Sequence, residues 1–428
     1  MKRIPNLRWW IAGLLASASA LAYIDRQTLP VVVGEIQRTI PISDQQYARL
    51  QFMFLLAYGI MYAGGGKITD LLGTRWGYAV IITWWSAANL MQGAVSSVFG
   101  LGCALFLLGL GEGGGFPTAA KAVSEWFPAK ERSLAFGIFN AGSGLGATIA
   151  PPFIAAIVLQ LNWRWVFFTT ATIGFLWVVS WLGLYYPPFR HKRLTAAEKN
   201  YLRETLPAAP IVVTRISWGG LLRFRQVWGL LTAKFLSDSA WYFFIFWLPK
   251  YLGDVRHLNI KAIGYYAWIP YAWACMGSLV GGWLSSYLIR RTLSVDASRK
   301  ICLGVSAACM PVSLLIAVSP LAITIVFFSL AMLGHQFWST IVQTLAADMF
   351  PSNVVGSVAG LLGAAGAFGG MLFNLIVGAL LTAYHSYVLI FAIVGLLHPL
   401  SFLIILLIVR KIELVTSPKA CEERGAAA

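Results

Sequence analysis

The chain holds 428 residues, of which 58% are hydrophobic and only 11% charged. Soluble globular domains carry about a quarter of their residues as charges, so this composition excludes one. The formal charge of +16 invites a nucleic-acid reading, but the basic residues sit between apolar segments, where membrane topology alone would place them.

Spans of roughly 20 apolar residues recur along the chain, the pattern of a polytopic all-α membrane protein. A β-barrel would instead show alternating segments of about ten residues. Near the N-terminus Lys2 and Arg3, then WWIAGLLA, then Ala16-Ser17-Ala18 imitate a secretory leader with its cleavage site. The apolar character runs on to Val33, so the segment reads as an uncleaved first span. Twelve helices fit, at about 9–33, 47–68, 76–97, 99–125, 133–158, 163–186, 228–252, 264–289, 300–318, 320–348, 354–382 and 386–410. Pro187 to Arg225 is polar and rich in Arg and Pro. The expected organisation is therefore a six-helix bundle over 1–186, a cytoplasmic linker over 187–227, a second bundle over 228–410 and a disordered tail over 411–428. Of the 32 Lys and Arg, the loops assigned outside hold Arg38, Arg49, Arg164, Lys250, Arg256 and Lys261, and the spans hold Arg26, Lys121 and Lys234. All the others lie on the opposite side, which predicts that both termini are cytoplasmic.

The two halves echo each other. Phe127-Pro128 is followed by Ser133-x-Ala135, and Phe350-Pro351 by Ser357-x-Ala359, each leading into a Gly-rich helix. The same offset carries Gly111-Glu112 onto Gly334-His335. Chance matching among glycines competes with this reading. Two repeated halves point to a transporter whose site lies between them near mid-membrane.

Glu112 lies near the middle of the fourth span, set among glycines. A carboxylate there costs about 2.5–3.5 kcal/mol on insertion scales, so it is expected to face a cavity and to exchange protons. Gly113, Gly114 and Gly115 have a packing explanation. Asp25-Arg26, in Tyr23-Ile24-Asp25-Arg26-Gln27, is either a buried pair that fixes helix packing or a site in which Arg26 takes a carboxylate ligand. In the second case Asp25 restrains Arg26 or takes a proton. Lys121 follows Glu112 by nine residues, which turns it to the opposite face and about 13 Å toward the cytoplasm, so snorkelling competes with ligand binding. Pro117 is placed to kink this helix.

In the second half, Lys234 and Asp238 are spaced to pair on one helix face in a structural or gating role. Trp241, on about the same face, offers an apolar wall to a sugar ring. His335, Gln336, Trp338 and Ser339 cluster near the middle of the tenth span and read as ligand-lining, against the usual reading of a lone histidine as a satisfied core residue. Tyr58 and Asn374 are further hydrogen-bonding candidates.

Enzyme signals fail. Gly64-Gly65-Gly66-Lys67-Ile68-Thr69 lacks the Ser or Thr that a phosphate loop needs directly after Lys. No clustered metal site, cofactor motif or nucleophile elbow is present in the sequence. Cys103, Cys275, Cys302, Cys309 and Cys421 show no CxxC pairing and read as reduced packing residues.

The motif Tyr23-Ile24-Asp25-Arg26, the stretch Gly66-Lys67-Ile68-Thr69-Asp70-Leu71-Leu72-Gly73-Thr74-Arg75, and Glu112 followed by Phe116-Pro117 resemble the major facilitator superfamily, and within it the anion:cation symporters. Ser124-Glu125-Trp126-Phe127-Pro128-Ala129-Lys130-Glu131-Arg132-Ser133 resembles the bacterial hexuronate transporters more specifically, as does His335-Gln336-x-Trp338-Ser339 leading to Asp348-Met349-Phe350-Pro351. The resemblance covers nearly the whole chain apart from linker and tail. It implies a monomeric, proton-coupled importer of sugar acids in the inner membrane, surrounded by lipid and without cofactor. In that analogy Asp25 and Glu112 handle protons, Arg26 and Tyr58 bind the anion or organise its site, and Lys121 regains a ligand role. Tyr23 joins the binding set, and Asp70 and Arg75 the gating set. One departure is Leu105, where many members of the family carry an arginine seven residues before the glutamate. The rival expectations are transport of an aldonate, aldarate or tartrate-like acid, and a non-transporting membrane sensor.

Overall fold

The structure, a computed structural model, describes residues 3–206, 218–291, 293–350 and 352–414. Among the described residues fifteen α-helices follow one another: α1 (Leu7–Gln37), α2 (Asp44–Ala94), α3 (Val98–Gly113), α4 (Gly115–Trp126), α5 (Ala129–Gln160), α6 (Trp163–Leu184), α7 (Ala196–Thr205), α8 (Trp218–Leu221), α9 (Arg225–Asp254), α10 (Ile260–Tyr266), α11 (Trp268–Arg290), α12 (Val295–Ala308), α13 (Leu321–Met349), α14 (Ser352–Tyr384) and α15 (Val388–Ile404). Among the described residues no strand forms, and a single isolated bridge joins Ile4 to Leu194. The expected all-α class is what the chain adopts.

Helix starts follow the capping chemistry of the sequence. Ser43 opens α2 with a reciprocal box: its hydroxyl accepts from the Gln46 N–H at 3.2 Å, and Gln46 Oε1 accepts from the Ser43 N–H at 2.9 Å. Ser97, Asn162, Asn259 and Ser294 cap α3, α6, α10 and α12 in the same way, each side chain accepting from a first-turn N–H. Eight helical segments among the described residues are long and apolar enough to cross a membrane. The other four expected spans fall in α2, which covers two of them, in α9 and in the α10–α11 segment.

Three boundaries differ from the expected ones, for local reasons. The break inside α2 is at Gly73, whose φ of 72° and ψ of 158° belong to a region open almost only to glycine. The fourth expected span divides at Gly114 rather than kinking at Pro117, which falls in the first turn of α4, where its missing N–H costs no helical bond. The ninth gives way after Ala308 to a 3-10 turn over Met310–Leu315. The central linker region contains α7 and α8, while 207–217 and the tail from 415 lie outside the described residues.

Packing joins α1 to α5 and α6, α2 to α3 and α6, α9 to α14 and α15, and α11 to α13. Three packings tie the early helices to the late ones: α2 lies along α14, α5 meets α10 and α11, and α1 meets α9 and α10. The chain start is strapped to the linker. Arg8 pairs with Glu131 and Glu198, each at 2.9 Å, and Glu198 Oε2 accepts from the Leu7 N–H. His191 joins this strap through Nε2, 2.8 Å from the Leu184 carbonyl, and burial pushes its pKa below the usual histidine range.

Candidate functional site

Two polar clusters sit inside the apolar body. The first is built on α1, α2 and α3. Arg26 donates from Nε and Nη2 to the same oxygen, Glu112 Oε2, at 3.0 and 2.7 Å, and both side chains are almost wholly buried. Its guanidinium lies over Tyr23 and Tyr58 at 4.8 Å and over Phe54 at 5.5 Å, contacts that favour a cation where water is excluded. Glu112 Oε1 is buried and has no hydrogen-bond partner. Glycine makes the approach possible. A Cβ at Gly113 would lie 2.5 Å from the Tyr58 carbonyl, and one at Gly111 would lie 2.5 Å from Trp85 Cβ.

Asp25 turns elsewhere. Successive helical side chains point about 100° apart, so Asp25 and Arg26 do not face one neighbour. Asn89 Nδ2 donates to Asp25 Oδ1 at 2.8 Å and to Thr170 Oγ1 at 2.5 Å, and Gln92 donates to Asn89 Oδ1 at 3.0 Å. The ion-pair partner of Arg26 is Glu112, not its neighbour in sequence.

The second cluster is built on α9, α13 and α15. Lys234 Nζ pairs with Asp238 at 2.9 Å and donates to Ser339 Oγ at 3.3 Å, and Gln343 also donates to Ser339. Trp241 stacks on His335 with ring centroids 4.8 Å apart and planes 8° from parallel. His335 Nδ1 lies 3.1 Å from Nε2 of His398. Trp338 meets His398 edge-on, and Gln336 is half-buried beside them.

Aromatic residues run between the clusters. Phe54, Tyr58 and Tyr62 form a ladder on one face of α2. Tyr62 reaches α14, its ring 2.8 Å from where a Gly363 Cβ would stand. On α9, Phe246 meets Phe54 edge-on at 6.1 Å and stacks with Tyr242 at 5.8 Å. Tyr62, Tyr242, Asn89, Thr170 and His398 were not among the residues expected from the sequence. The i,i+4 spacing of Phe54, Tyr58 and Tyr62 was the available signal for the ladder; Asn89 and His398 had none.

Other expected residues lie apart from both clusters. Lys121 Nζ binds Asp70 Oδ1 at 2.8 Å and the Thr69 carbonyl at 3.2 Å, in line with its rotation away from Glu112. Arg75 donates to the Leu182 and Tyr185 carbonyls at 2.6 and 3.0 Å and to the Tyr186 hydroxyl, closing the C-terminus of α6. Asn374 has both amide atoms engaged in packing α9 on α14: Nδ2 donates to the Gly370 carbonyl, and Oδ1 accepts from Trp247 Nε1 at 2.7 Å. Leu105 is buried on α3. Among the described residues no three His, Cys, Asp or Glu side chains are grouped to hold a metal ion.

The first cluster carries two carboxylates against one guanidinium. Arg26 is thus already held by a carboxylate, and the strength of that pair depends on Glu112 being ionised.

Residues 15–373 match the Major Facilitator Superfamily. Over 386 residues the chain is 34% identical to the hexuronate transporter of Escherichia coli strain K12, covering 89% of each chain. It is 32% identical over 314 residues to the galacturonate transporter of Dickeya chrysanthemi, covering 72% of this chain and 91% of that one. Its fold is similar to that of a bacterial homologue of the human lysosomal transporter Spinster, in an inward-facing and occupied conformation, with a TM-score of 0.75, 16% identity and coverage of 97% and 100%.

Proposed function

The chain belongs to the Major Facilitator Superfamily, a multi-pass membrane transporter, and on that premise we propose that it is a proton-coupled symporter importing a sugar-acid anion. The substrate of choice is a hexuronate such as galacturonate or glucuronate, the class named for the two relatives above. Transport proceeds across a bacterial inner membrane by alternating access between two six-helix halves, twelve spans in all, with both termini cytoplasmic.

The observation that carries this reading is the buried Arg26–Glu112 pair with Glu112 Oε1 left unpartnered. A site open to an anion must offer a positive group, and here that group is already held by a carboxylate. Proton entry onto Glu112 removes the competitor, so anion and proton bind together. Asp25 is the second proton-handling group, held through Asn89 beside the first. Tyr23 and Tyr58 flank the guanidinium, and the Trp241–His335 stack offers the opposite wall for the sugar ring. Ser339, Gln336 and Trp338 line the same side, and the Lys234–Asp238 pair has a structural or gating role. Lys121, Asp70 and Arg75 act away from both clusters, in gating.

Uptake of labelled galacturonate by proteoliposomes tests this directly. An inwardly directed proton gradient should drive accumulation above equilibrium, glucuronate should compete, and a protonophore should abolish the gain. Competition by aldonates or aldarates alone would move the substrate to that class.

A further inference from the structure

The second cluster holds a histidine that the transport reading leaves unused. His398 lies on α15, is fully buried, and contacts His335 through a ring-nitrogen pair at 3.1 Å. We propose that His398 is a positioning residue: it fixes the tautomer of His335 so that the His335 Nε2 carries the hydrogen and donates to an oxygen of the bound sugar acid. This rests on the sugar-acid reading given above.

The argument starts from what two uncharged imidazoles can share. Of the facing nitrogens, His335 Nδ1 and His398 Nε2, only one bears a hydrogen. If His335 Nδ1 bears it, the His398 hydrogen sits on Nδ1, which is buried and has no partner. That leaves an orphaned N–H. If His398 Nε2 bears it, the buried Nδ1 is a bare lone pair, and orphaned buried donors are the rarer defect in folded proteins. Trp338 packs edge-on against His398, with ring centroids 5.5 Å apart. His398 therefore donates to His335 Nδ1.

Two constraints then fix His335. The parallel Trp241 stack sets its ring plane, and the His398 bond sets its rotation about that plane. Its remaining nitrogen, Nε2, is a donor, and a sugar acid presents only oxygens to it. A hydroxyl, ring or carboxylate oxygen can accept, so the second cluster recognises the polyol end while Arg26 holds the carboxylate.

The test compares His398→Gln with His398→Leu in reconstituted protein. Glutamine places an amide N–H near the position of Nε2 and preserves the donor; leucine removes it. The leucine variant should raise KM for galacturonate about five- to tenfold, the effect of one lost hydrogen bond. Its maximal uptake rate should stay near wild type, and the glutamine variant should restore KM. In a His335→Gln background the leucine change should add nothing further to KM, because His398 acts only through His335. An unchanged KM in the leucine variant, or glutamine behaving as leucine does, overturns the assignment. Should the leucine variant fail to fold, His398→Met, also without a donor, gives the same reading. Wild-type protein that takes up no sugar acid overturns the functional reading instead, and this assignment with it.

Discussion

An arginine buried in a membrane keeps its charge by finding an anion, and Arg26 has found Glu112 rather than the aspartate beside it. Exchanging Glu112 for glutamine leaves an amide oxygen to accept from the guanidinium but no group that can take up a proton. Glu112→Gln should therefore lose proton-driven accumulation while retaining substrate counterflow. Its affinity for galacturonate should hardly vary with pH, whereas wild-type affinity should weaken as pH rises and Glu112 ionises to reclaim Arg26. Accumulation at wild-type levels under a proton gradient would defeat the coupling role. The charges themselves were legible in the sequence, because a carboxylate or guanidinium inside an apolar run announces its own cost. Their pairing was not. Asp25 and Arg26 are adjacent in the chain but point to different neighbours, and the partners Asn89, Thr170 and Glu112 arrive from three other helices. Lys121 marks the middle ground: nine residues of helix turned it away from Glu112 on paper, and it is found on Asp70.

Helices α2 and α3 meet so closely that only glycine fits at the contact. The Cβ of an alanine at 113 would stand 2.5 Å from the Tyr58 carbonyl and 2.9 Å from Met61 Cβ. These are backbone and near-backbone atoms that cannot swing aside, so the helices must separate. Overpacking of this kind costs about 1–3 kcal/mol. Gly113→Ala should lower the thermal midpoint of the purified protein by several degrees and weaken anion binding with it, because Glu112 is the preceding residue. Gly137→Ala is the control: nothing stands within 4 Å of its Cβ, and in mid-helix the change should leave the midpoint equal or higher. Equal midpoints for the two variants would remove the packing argument. The sequence supported a packing role for this glycine run, and it supported helices at these positions. It did not reveal that the run is also a joint, with α3 ending at Gly113 and α4 starting at Gly115. Joints of this sort depend on how a neighbouring helix is seated, as does the break at Gly73 inside α2.

Alternating access requires the two groups of helices to part at one end while closing at the other, so contacts between them at a single end act as a latch. The start of α2 and the end of α9 form one. Lys250 Nζ pairs with Asp44 at 2.7 Å and also with Asp254, and the Tyr47 hydroxyl donates to the Phe246 carbonyl while its ring meets Trp247 edge-on at 4.9 Å. Beside them Ala48 is fully buried against Gly378 of α14. In the proposed orientation, with both termini cytoplasmic, this is the outer end. The repeated halves in the sequence pointed to such an arrangement, but Lys250 was counted there only as a loop charge, since a lysine at a helix end shows nothing of the helix it will meet. Lys250→Met leaves Asp44 and Asp254 facing each other without a cation. Asp44 is one-third exposed, so solvent screening reduces the loss to about 1 kcal/mol, a shift of about fivefold toward the open form. The measurement is the labelling rate of Ala48→Cys by a membrane-impermeant maleimide, in a background freed of native cysteines. Lys250→Met should raise that rate about fivefold, and saturating substrate should change it further in whichever direction the loaded protein moves. An unchanged rate would mean that the Tyr47 and α14 contacts hold this end closed without the ion pair.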